Sequence, residues 1–504
     1  MTTKYNIARS IGSIAFKRQQ LINLLFPEGY PVEPASASFV AGLKTGAANM
    51  VTGYQTLIRG INERVVPGFG HIIGLRYMKP MMPVPAAATL GTAVSGAIVA
   101  TTYYVRYSWL YNNVETPGST EQSLLIALNN VLTVTIPTPP IGANAWNVYV
   151  GTAPGAETLQ NTAPIVTGTT LWTEPATGLT ATGVAPPVNG VPSNKVLIHC
   201  HGHDNNSNTN IYGSTSGAPY RADEANRVMF YGLPSTPAVP IYLTTPLLVG
   251  VGVIEVSLLG QYLNKFNNVD TLDTPDHTSI TNNLGAEGVG LFLWQVIYAI
   301  NSVMAAGMVP VVSGFSGGGW TALWAAALDP RVQLSFSQSG YQGVYPELTP
   351  IGTATGTYQS GTVGDGEQAN AEVYTSINAH ELAVMGCDNN RAAYHVWNTA
   401  GDTVFPMLIA DLALLNSSGL PALATQYGGM LQFMGFAGLN DPVTNFGGSA
   451  IATYPIAVAD AARVSALNGS VATGLTYAYT GAGHHLMHQF LDFVATTIVS
   501  SNRA

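Results

Sequence analysis

A serine enclosed by glycines stands past the middle of the chain, in Gly314-Phe315-Ser316-Gly317-Gly318. The segment fits the pattern G-x-S-x-G, in which a serine sits on a sharp turn between a strand and a helix. Small residues are needed around that serine because the turn brings backbone segments too close for side chains. An apolar run, VPVVS, precedes the motif and a run of small residues, GGWTALWAAAL, follows it. This context predicts that Ser316 is a nucleophile.

A serine nucleophile needs a general base and an acid that orients the base. In this architecture the acid follows the serine along the chain and the histidine comes last. Asp402 follows the predicted strand Tyr394–Asn398, and His484 follows a later predicted strand and a glycine-rich turn. Both would lie at the carboxyl edge of the sheet, where ligand sites form. Three alternatives stay open: His485 for the base, and Asp388 or Asp365 for the acid.

The segment His199-Cys200-His201-Gly202-His203-Asp204 has two interpretations. In a serine hydrolase, a His-Gly pair after an early strand supplies half of an oxyanion hole, here the backbone N–H of His203 or Asp204 together with that of Gly317. Alternatively, His199, His201 and His203 alternate along a strand as metal ligands do. The oxyanion hole is favoured because the chain has no H-E-x-x-H or equivalent motif, so neither metal nor cofactor is predicted.

From about residue 190 onward, strands alternate with helices, which predicts an α/β fold with a doubly wound, mostly parallel sheet. The predicted strands are Val196–His199, Leu248–Val256, Val309–Ser313, Val332–Ser337, Ala393–Asn398 and Thr476–Thr480; the helices are Gly288–Met304, Trp320–Leu328 and His485–Ser500. Residues from about 342 to 390 are expected to form an insertion, either a lid or a surface excursion. The candidates for sugar contacts are Tyr358, Glu367, Tyr374 and Trp397.

Residues 86–187 carry turn signals about every 8 to 12 residues, which indicates a β-sandwich. Its predicted strands include Thr101–Tyr107, Ser123–Leu128, Val131–Ile136 and Trp146–Gly151. Residues 1–85 would then be a separate, partly helical attachment segment, with a helix over Ile7–Leu25. The predicted domains are therefore 1–85, 86–187 and 190–504.

Only 9% of the 504 residues are charged, against roughly 25% in average soluble proteins. The net charge is −9 and no basic stripe is present, which excludes a nucleic-acid-binding surface. The apolar run Leu247–Leu259 contains Glu255 and is too short for a bilayer span, and no export signal is visible. Two cysteines, Cys200 and Cys387, provide no disulfide framework, although one bridge stays open.

Residues 190–504 resemble the α/β-hydrolase superfamily in His201-Gly202, the Ser316 motif, Asp402 and Gly483-His484. The resemblance implies ester hydrolysis through an acyl-serine, with Ser316 as nucleophile, His484 as base and Asp402 as orienting acid. The chain departs from the common lipase pattern because His203 stands where a glycine is usual.

Residues 86–187 are similar to the fibronectin-III-like or Ig-like modules of bacteriophage tail proteins. The similarity is carried by Thr102-Tyr103-Tyr104-Val105, the segment Trp146–Thr152, Gly155-Ala156-Glu157-Thr158-Leu159 and Thr173-Glu174-Pro175. The combination implies a serine esterase of a phage tail that removes O-acyl groups, acetyl first, from bacterial surface polysaccharide. It would reside in the virion, act outside the cell, bind other tail proteins and form a homotrimer. The alternatives are a lipase- or polyester-type carboxylesterase and a non-catalytic receptor-binding tail protein.

Overall fold

The computed structural model describes the chain in segments. They are residues 12–27, 29–31, 39–40, 51–60, 72–80, 82, 84–95, 98–112, 114–140, 143–180, 182–200, 246, 249–256, 284–340, 371–374, 376–398, 415, 417, 419–436, 444–445 and 488–501. The helices are α1 (Ile14–Leu25), α2 (Ala286–Ala305), α3 (Gly317–Leu328), α4 (Ala371–Tyr374), α5 (Ala379–Met385), α6 (Leu420–Gln426) and α7 (His488–Ser500).

Ten strands form the main sheet, in the order β1-β2-β3-β14-β13-β15-β16-β17-β18-β19. They are β1 (Phe39–Val40), β2 (Val51–Gly60), β3 (Ile72–Pro80), β13 (Lys195–Cys200), β14 (Gly252–Val256), β15 (Val309–Phe315), β16 (Leu334–Gln338), β17 (Ala392–Asn398), β18 (Met430–Phe436) and β19 (Thr444–Asn445). The six central strands from β14 to β18 are parallel, and the strands at both flanks are antiparallel.

Alternate side chains of the central strands enter two separate cores, because successive residues of a strand point to opposite faces. On β13, Val196 and Ile198 join a core with helices α1, α2, α3, α5 and α6. Leu197 points the other way and joins a core that contains α7. Both faces of the parallel sheet are therefore covered, which confirms the predicted α/β class with a mainly parallel sheet.

The described helix α1 and strands β1 to β3 belong to this α/β unit, although the sequence predicted a separate segment over residues 1–85. Strand β3 pairs with β14, with Met78 opposite Val253 and Leu75 opposite Val256. Helix α1 buries its apolar face against α2, and a Cβ on Gly290 would lie 2.1 Å from the Leu25 carbonyl oxygen. The described N-terminal elements are thus part of the main sheet and of its helical cover.

Two smaller antiparallel sheets lie between Thr89 and Thr173. One contains β5 (Thr101–Tyr111), β6 (Val114–Glu115), β7 (Gln122–Ile126), β9 (Ala145–Gly151), β10 (Thr158–Leu159) and β11 (Ile165–Val166); the other contains β4 (Thr89–Val94), β8 (Asn130–Thr135) and β12 (Leu171–Thr173). Their apolar side chains share a core with the α7 face of the main sheet. The Asn112 side chain also donates to the Val499 carbonyl on α7, so the small sheets are packed on the α/β unit.

The end of the expected 342–390 insertion is part of the core. Helix α5 is fully buried and packs on α3 with Leu382 and Ala383, so residues 379–385 are neither a lid nor a surface excursion. Residues 341–370 lie outside the described part of the chain. Among the described residues, α2 is the one helix that is long and apolar enough to cross a membrane. Most of its apolar stretch is buried within the protein.

Candidate active site

Ser316 occupies a strained turn between β15 and α3. Its backbone has φ 57° and ψ −125°, and it precedes the first residue of α3, Gly317. A positive φ is uncommon for a residue with a side chain. It persists only where contacts with the surrounding structure hold the backbone in that conformation. Two backbone bonds enforce it here: Ser316 N donates to Gln338 O over 2.9 Å, and Trp320 N donates to Ser316 O over 3.0 Å. The predicted strand–turn–helix context of the serine is present.

The glycines around Ser316 are required by close backbone contacts. A Cβ on Gly314 would lie 2.1 Å from the carbonyl oxygen of Gly318. A Cβ on Gly319 would lie 2.6 Å from Gln338 O, and one on Gly340 would lie 2.0 Å from the Gly319 carbonyl carbon. These separations are shorter than any real Cβ contact, so the motif extends beyond G-x-S-x-G to Gly319 and Gly340.

The serine lies where the strand order of the main sheet reverses. From β13 the chain passes to β14 on one side, and it later returns to β15 on the other side. Cys200, the last residue of β13, is opposite Gly314, two residues before Ser316. Ligands of open α/β sheets bind at such a switch point, at the carboxyl ends of the strands. Strand β13 therefore ends beside the nucleophile.

Of the proposed oxyanion donors, Gly317 is described and the others are not. Gly317 is the first residue of α3, where a helix leaves backbone N–H groups without intrahelical acceptors and favours negative charge. His201, Gly202, His203 and Asp204 lie outside the described residues. Their role opposite Gly317 stays a prediction.

His199 lies in the core directly before this segment. It is fully buried, and its Nδ1 atom lies 2.9 Å from Ser313 Oγ. Within the described ranges, no three His, Cys, Asp or Glu side chains are grouped as they would be around a metal ion. His199 thus has a protein partner, whereas the other two histidines of the metal alternative lie outside the described part.

For the proposed acid and base, the structure describes only the neighbouring elements β17 and α7. Strand β17 ends at Asn398 on the same carboxyl edge as β15, and Asp402 follows four residues later. His484 and His485 precede α7. All three residues lie outside the described part of the chain, as does Asp365, so their roles remain predictions.

Asp388, the alternative acid, lies at the wrong edge of the sheet to act with Ser316. It comes just before β17, at the amino ends of the parallel strands. Its carboxylate accepts from Arg18 Nη2 over 3.0 Å and also binds the Arg391 guanidinium. Asp388 therefore has a structural role.

Of the residues considered for sugar contacts, Trp397 lies in the core and Tyr374 is partly buried against it. Trp397 is 1% exposed and stacks on Phe433, with ring centroids 6.3 Å apart. The Tyr374 hydroxyl accepts from Trp320 Nε1 over 2.7 Å, beside the first turn of α3. The other two, Tyr358 and Glu367, lie outside the described residues.

Sequence reasoning missed the residues that hold the turn from outside the motif. Gln338 contacts the turn at Ser316, Gly340 approaches Gly319 at the start of α3, and Ser313 on β15 contacts His199 on β13. No local pattern marks them, because each acts through a contact with a residue that is not its neighbour along the chain.

No protein-family model matches the chain, and no curated protein sequence matches it. Solved structures do match. An acetyl xylan esterase from a Paenibacillus species is 11% identical over 87% of this chain and 90% of its own, with a TM-score of 0.32. Acetyl xylan esterase 1 from a Thermoanaerobacterium species is 14% identical over 72% and 86%, with a TM-score of 0.28. A glucuronoyl esterase from Caldicellulosiruptor kristjansonii is 13% identical over 61% and 70%, with a TM-score of 0.28. Matches this distant do not assign an activity, so function must be inferred from this chain's own residues.

Proposed function

We propose that this protein is a serine esterase with Ser316 as its nucleophile. The observation that carries the proposal is the backbone of Ser316, held at φ 57° at the start of α3 and at the switch point of the sheet. Strain of this kind concentrates at functional sites. A surface turn would not need the close backbone contacts made by Gly314 and Gly319.

In the proposed reaction, Ser316 Oγ attacks the ester carbonyl and His484 accepts the serine proton. The N–H of Gly317, with that of His203 or Asp204, stabilises the negative oxygen of the tetrahedral intermediate. The intermediate then releases the alcohol, which takes the proton from His484, and leaves an acyl-serine. Water, deprotonated by His484, then attacks the acyl group; the bond to Ser316 Oγ breaks, Ser316 Oγ takes the proton from His484, and the acid is released. Asp402 orients His484 throughout.

The narrower proposal is that the esters are O-acyl groups, acetyl first, on bacterial surface polysaccharide, and that the protein belongs to a phage tail. It is supported by the low charge of the chain and by a β-rich unit before the nucleophile, with the sequence similarity described above. Within that proposal, other tail proteins and further copies of this chain are the partners.

The decisive experiment compares the wild-type chain with Ser316→Ala on p-nitrophenyl acetate and on acetylated polysaccharides, with acetate release as the readout. We expect turnover by the wild type and none above background by the variant. An equally active Ser316→Ala variant would contradict the proposal. A wild type that binds the polysaccharide without releasing acetate would indicate a receptor-binding protein, and a preference for long acyl chains would indicate a lipase-type enzyme.

A further inference from the structure

We infer that Ser339, the residue that follows strand β16, is a positioning residue for the proposed nucleophile. It acts through its backbone, because a left-handed conformation at this residue directs the chain against the turn that carries Ser316. The inference rests on the proposed esterase function and deepens it by naming what keeps the nucleophile in place. Ser339 does not touch the substrate in this proposal.

Ser339 is a second strained residue beside the nucleophile. It has φ 50° and is completely buried. Within the described ranges, the non-glycine residues with positive φ are these two serines and four asparagines, and asparagine is a residue type that tolerates this conformation well. Strained backbone persists where contacts hold it, and it clusters at active sites. One contact that holds Ser339 is the hydrogen bond from its N–H to Val396 O on β17, over 2.8 Å.

The residues on either side of Ser339 hold the nucleophile turn at two points. Gln338, before it, accepts the hydrogen bond from Ser316 N over 2.9 Å. Gly340, after it, lies against the first turn of α3, where a Cβ on Gly340 would be 2.0 Å from the Gly319 carbonyl carbon. An extended residue at position 339 would continue in the direction of β16. The left-handed residue instead lets the chain make both contacts.

Both contacts act on groups that take part in the proposed reaction. Ser316 carries the attacking oxygen, and Gly317, between Ser316 and Gly319, is the described donor to the oxyanion. The rate of attack depends on the placement of the nucleophile to within fractions of an ångström. A residue that favours another conformation at position 339 should therefore lower kcat and leave KM nearly unchanged.

The test separates the backbone of Ser339 from its hydroxyl. Ser339→Thr keeps the hydroxyl but adds a branch at Cβ that disfavours the left-handed conformation, whereas Ser339→Gly removes the hydroxyl and favours that conformation. With p-nitrophenyl acetate we expect Ser339→Thr to lower kcat by about tenfold with KM nearly unchanged. Labelling of the serine oxygen by a fluorophosphonate, which loses fluoride, should slow by about the same factor. Ser339→Gly should keep both rates within about threefold of the wild type.

Asn129 provides a matched control outside the main sheet. It has φ 65° in the exposed turn between β7 and β8, and its N–H donates to Ile98 O over 3.0 Å. Asn129→Thr adds the same branch to a left-handed residue, so it should lower the thermal unfolding temperature but leave kcat within about twofold of the wild type. An equal loss of kcat in the two threonine variants would show that the loss follows from reduced stability, and it would overturn the inference.

Two further outcomes would overturn the inference while leaving the proposed function intact. One is a fully active Ser339→Thr variant, and the other is a Ser339→Gly variant at least as impaired as Ser339→Thr. If Ser339→Thr does not fold, Ser339→Ala replaces it, because it lacks the hydroxyl like Ser339→Gly but keeps a Cβ. Ser339→Gly should then be at least as active as Ser339→Ala, and the reverse order would overturn the inference. A wild type inert on all esters would overturn both proposals.

Discussion

Arg18 of the N-terminal helix lies 3.0 Å from Asp388, which stands at the amino edge of the main sheet 370 residues further along the chain. Arg18 also donates to the carbonyls of Ala327 and Met385, at the ends of α3 and α5. Arg391 shares the same carboxylate. The positive charges of two buried guanidiniums are thus stabilised by one carboxylate and by the partial negative charge at the carboxyl ends of two helices.

We expect Arg18→Met to lower the free energy of unfolding by about 3 kcal/mol, because it removes one member of a buried ionic cluster. Lys17→Met is the matched control, since Lys17 is the neighbouring cation of the same helix and is partly exposed; it should change stability by less than about 0.5 kcal/mol. Urea-induced unfolding measures both. Equal stability of the two variants would show that α1 is not held by this cluster.

Gly314→Ala should lower kcat/KM by at least about a hundredfold and destabilise the protein, because its Cβ would meet the Gly318 carbonyl. The control is Gly168→Ala, whose Cβ would meet nothing within 4 Å and whose φ is not positive. That variant should resemble the wild type. Esterase assays and thermal unfolding of both chains provide the measurement, and a fully active Gly314→Ala enzyme would refute the proposed geometry of the turn.

The central part of the fold was predictable because local pattern and burial agree there. Strand β15 is a short apolar run that leads into the glycine motif, and α3 follows it with small residues that are all buried. Parallel strands covered on both faces have this continuous apolar character. The turn that carries Ser316 could therefore be located from the sequence alone.

Strands β2 and β18 were not predicted because their sequences carry weaker signals. Strand β2 reads VTGYQTLIRG and β18 reads MLQFMGF, with glycines and polar residues inside the strands. Glycine and glutamine do not favour strands, so only pairing with neighbouring strands defines these segments. The contacts around Asp388 and Gly340 could not be predicted from the sequence either, because they join segments that are distant along the chain.

Acid should destabilise the protein through two buried histidines. Burial lowers the pKa of His380 to about 4, and burial together with the charge of His380 lowers the pKa of His395 to about 3. Both imidazoles stay neutral in the folded protein, whereas in the unfolded chain they take up protons below about pH 6.5. The free energy of unfolding is therefore not reduced by these groups above pH 6.5. Below pH 6.5 each group reduces it by up to about 1.4 kcal/mol per pH unit, until the pH reaches its folded-state pKa.

His395→Phe isolates one of these contributions, because a phenyl ring can keep the stacking on Phe433, whose ring centroid is 5.6 Å away. As the pH falls from 6 to 4.5, the wild type should lose stability faster than this variant. From pH 7 to 8, the free energies of unfolding of the two proteins should change in parallel. Parallel curves over the whole range would contradict the assignment of His395 as a buried neutral imidazole.

The two cysteines should remain thiols. Both are buried and neither is in a disulfide; Cys200 ends β13 at the carboxyl edge of the main sheet, while Cys387 precedes β17 at the amino edge. Burial also raises the pKa of the Cys200 thiol and so disfavours the reactive thiolate. We expect no rapid reaction with Ellman's reagent in the native protein and two thiols per chain in denaturant. A mass lower by two hydrogens under non-reducing conditions would reveal a bridge instead.

The roles of Asp402 and His484 can be separated from their alternatives by paired substitutions. His484→Ala should reduce kcat at least a thousandfold, to the order of magnitude found when a triad member is lost, and Asp402→Asn should reduce it strongly as well. His485→Ala is the matched control for the base and should retain activity. Asp388→Asn should instead lower the free energy of unfolding, because it leaves Arg18 and Arg391 without their shared charge. Full activity of His484→Ala together with an inert His485→Ala would assign the general base to His485 instead.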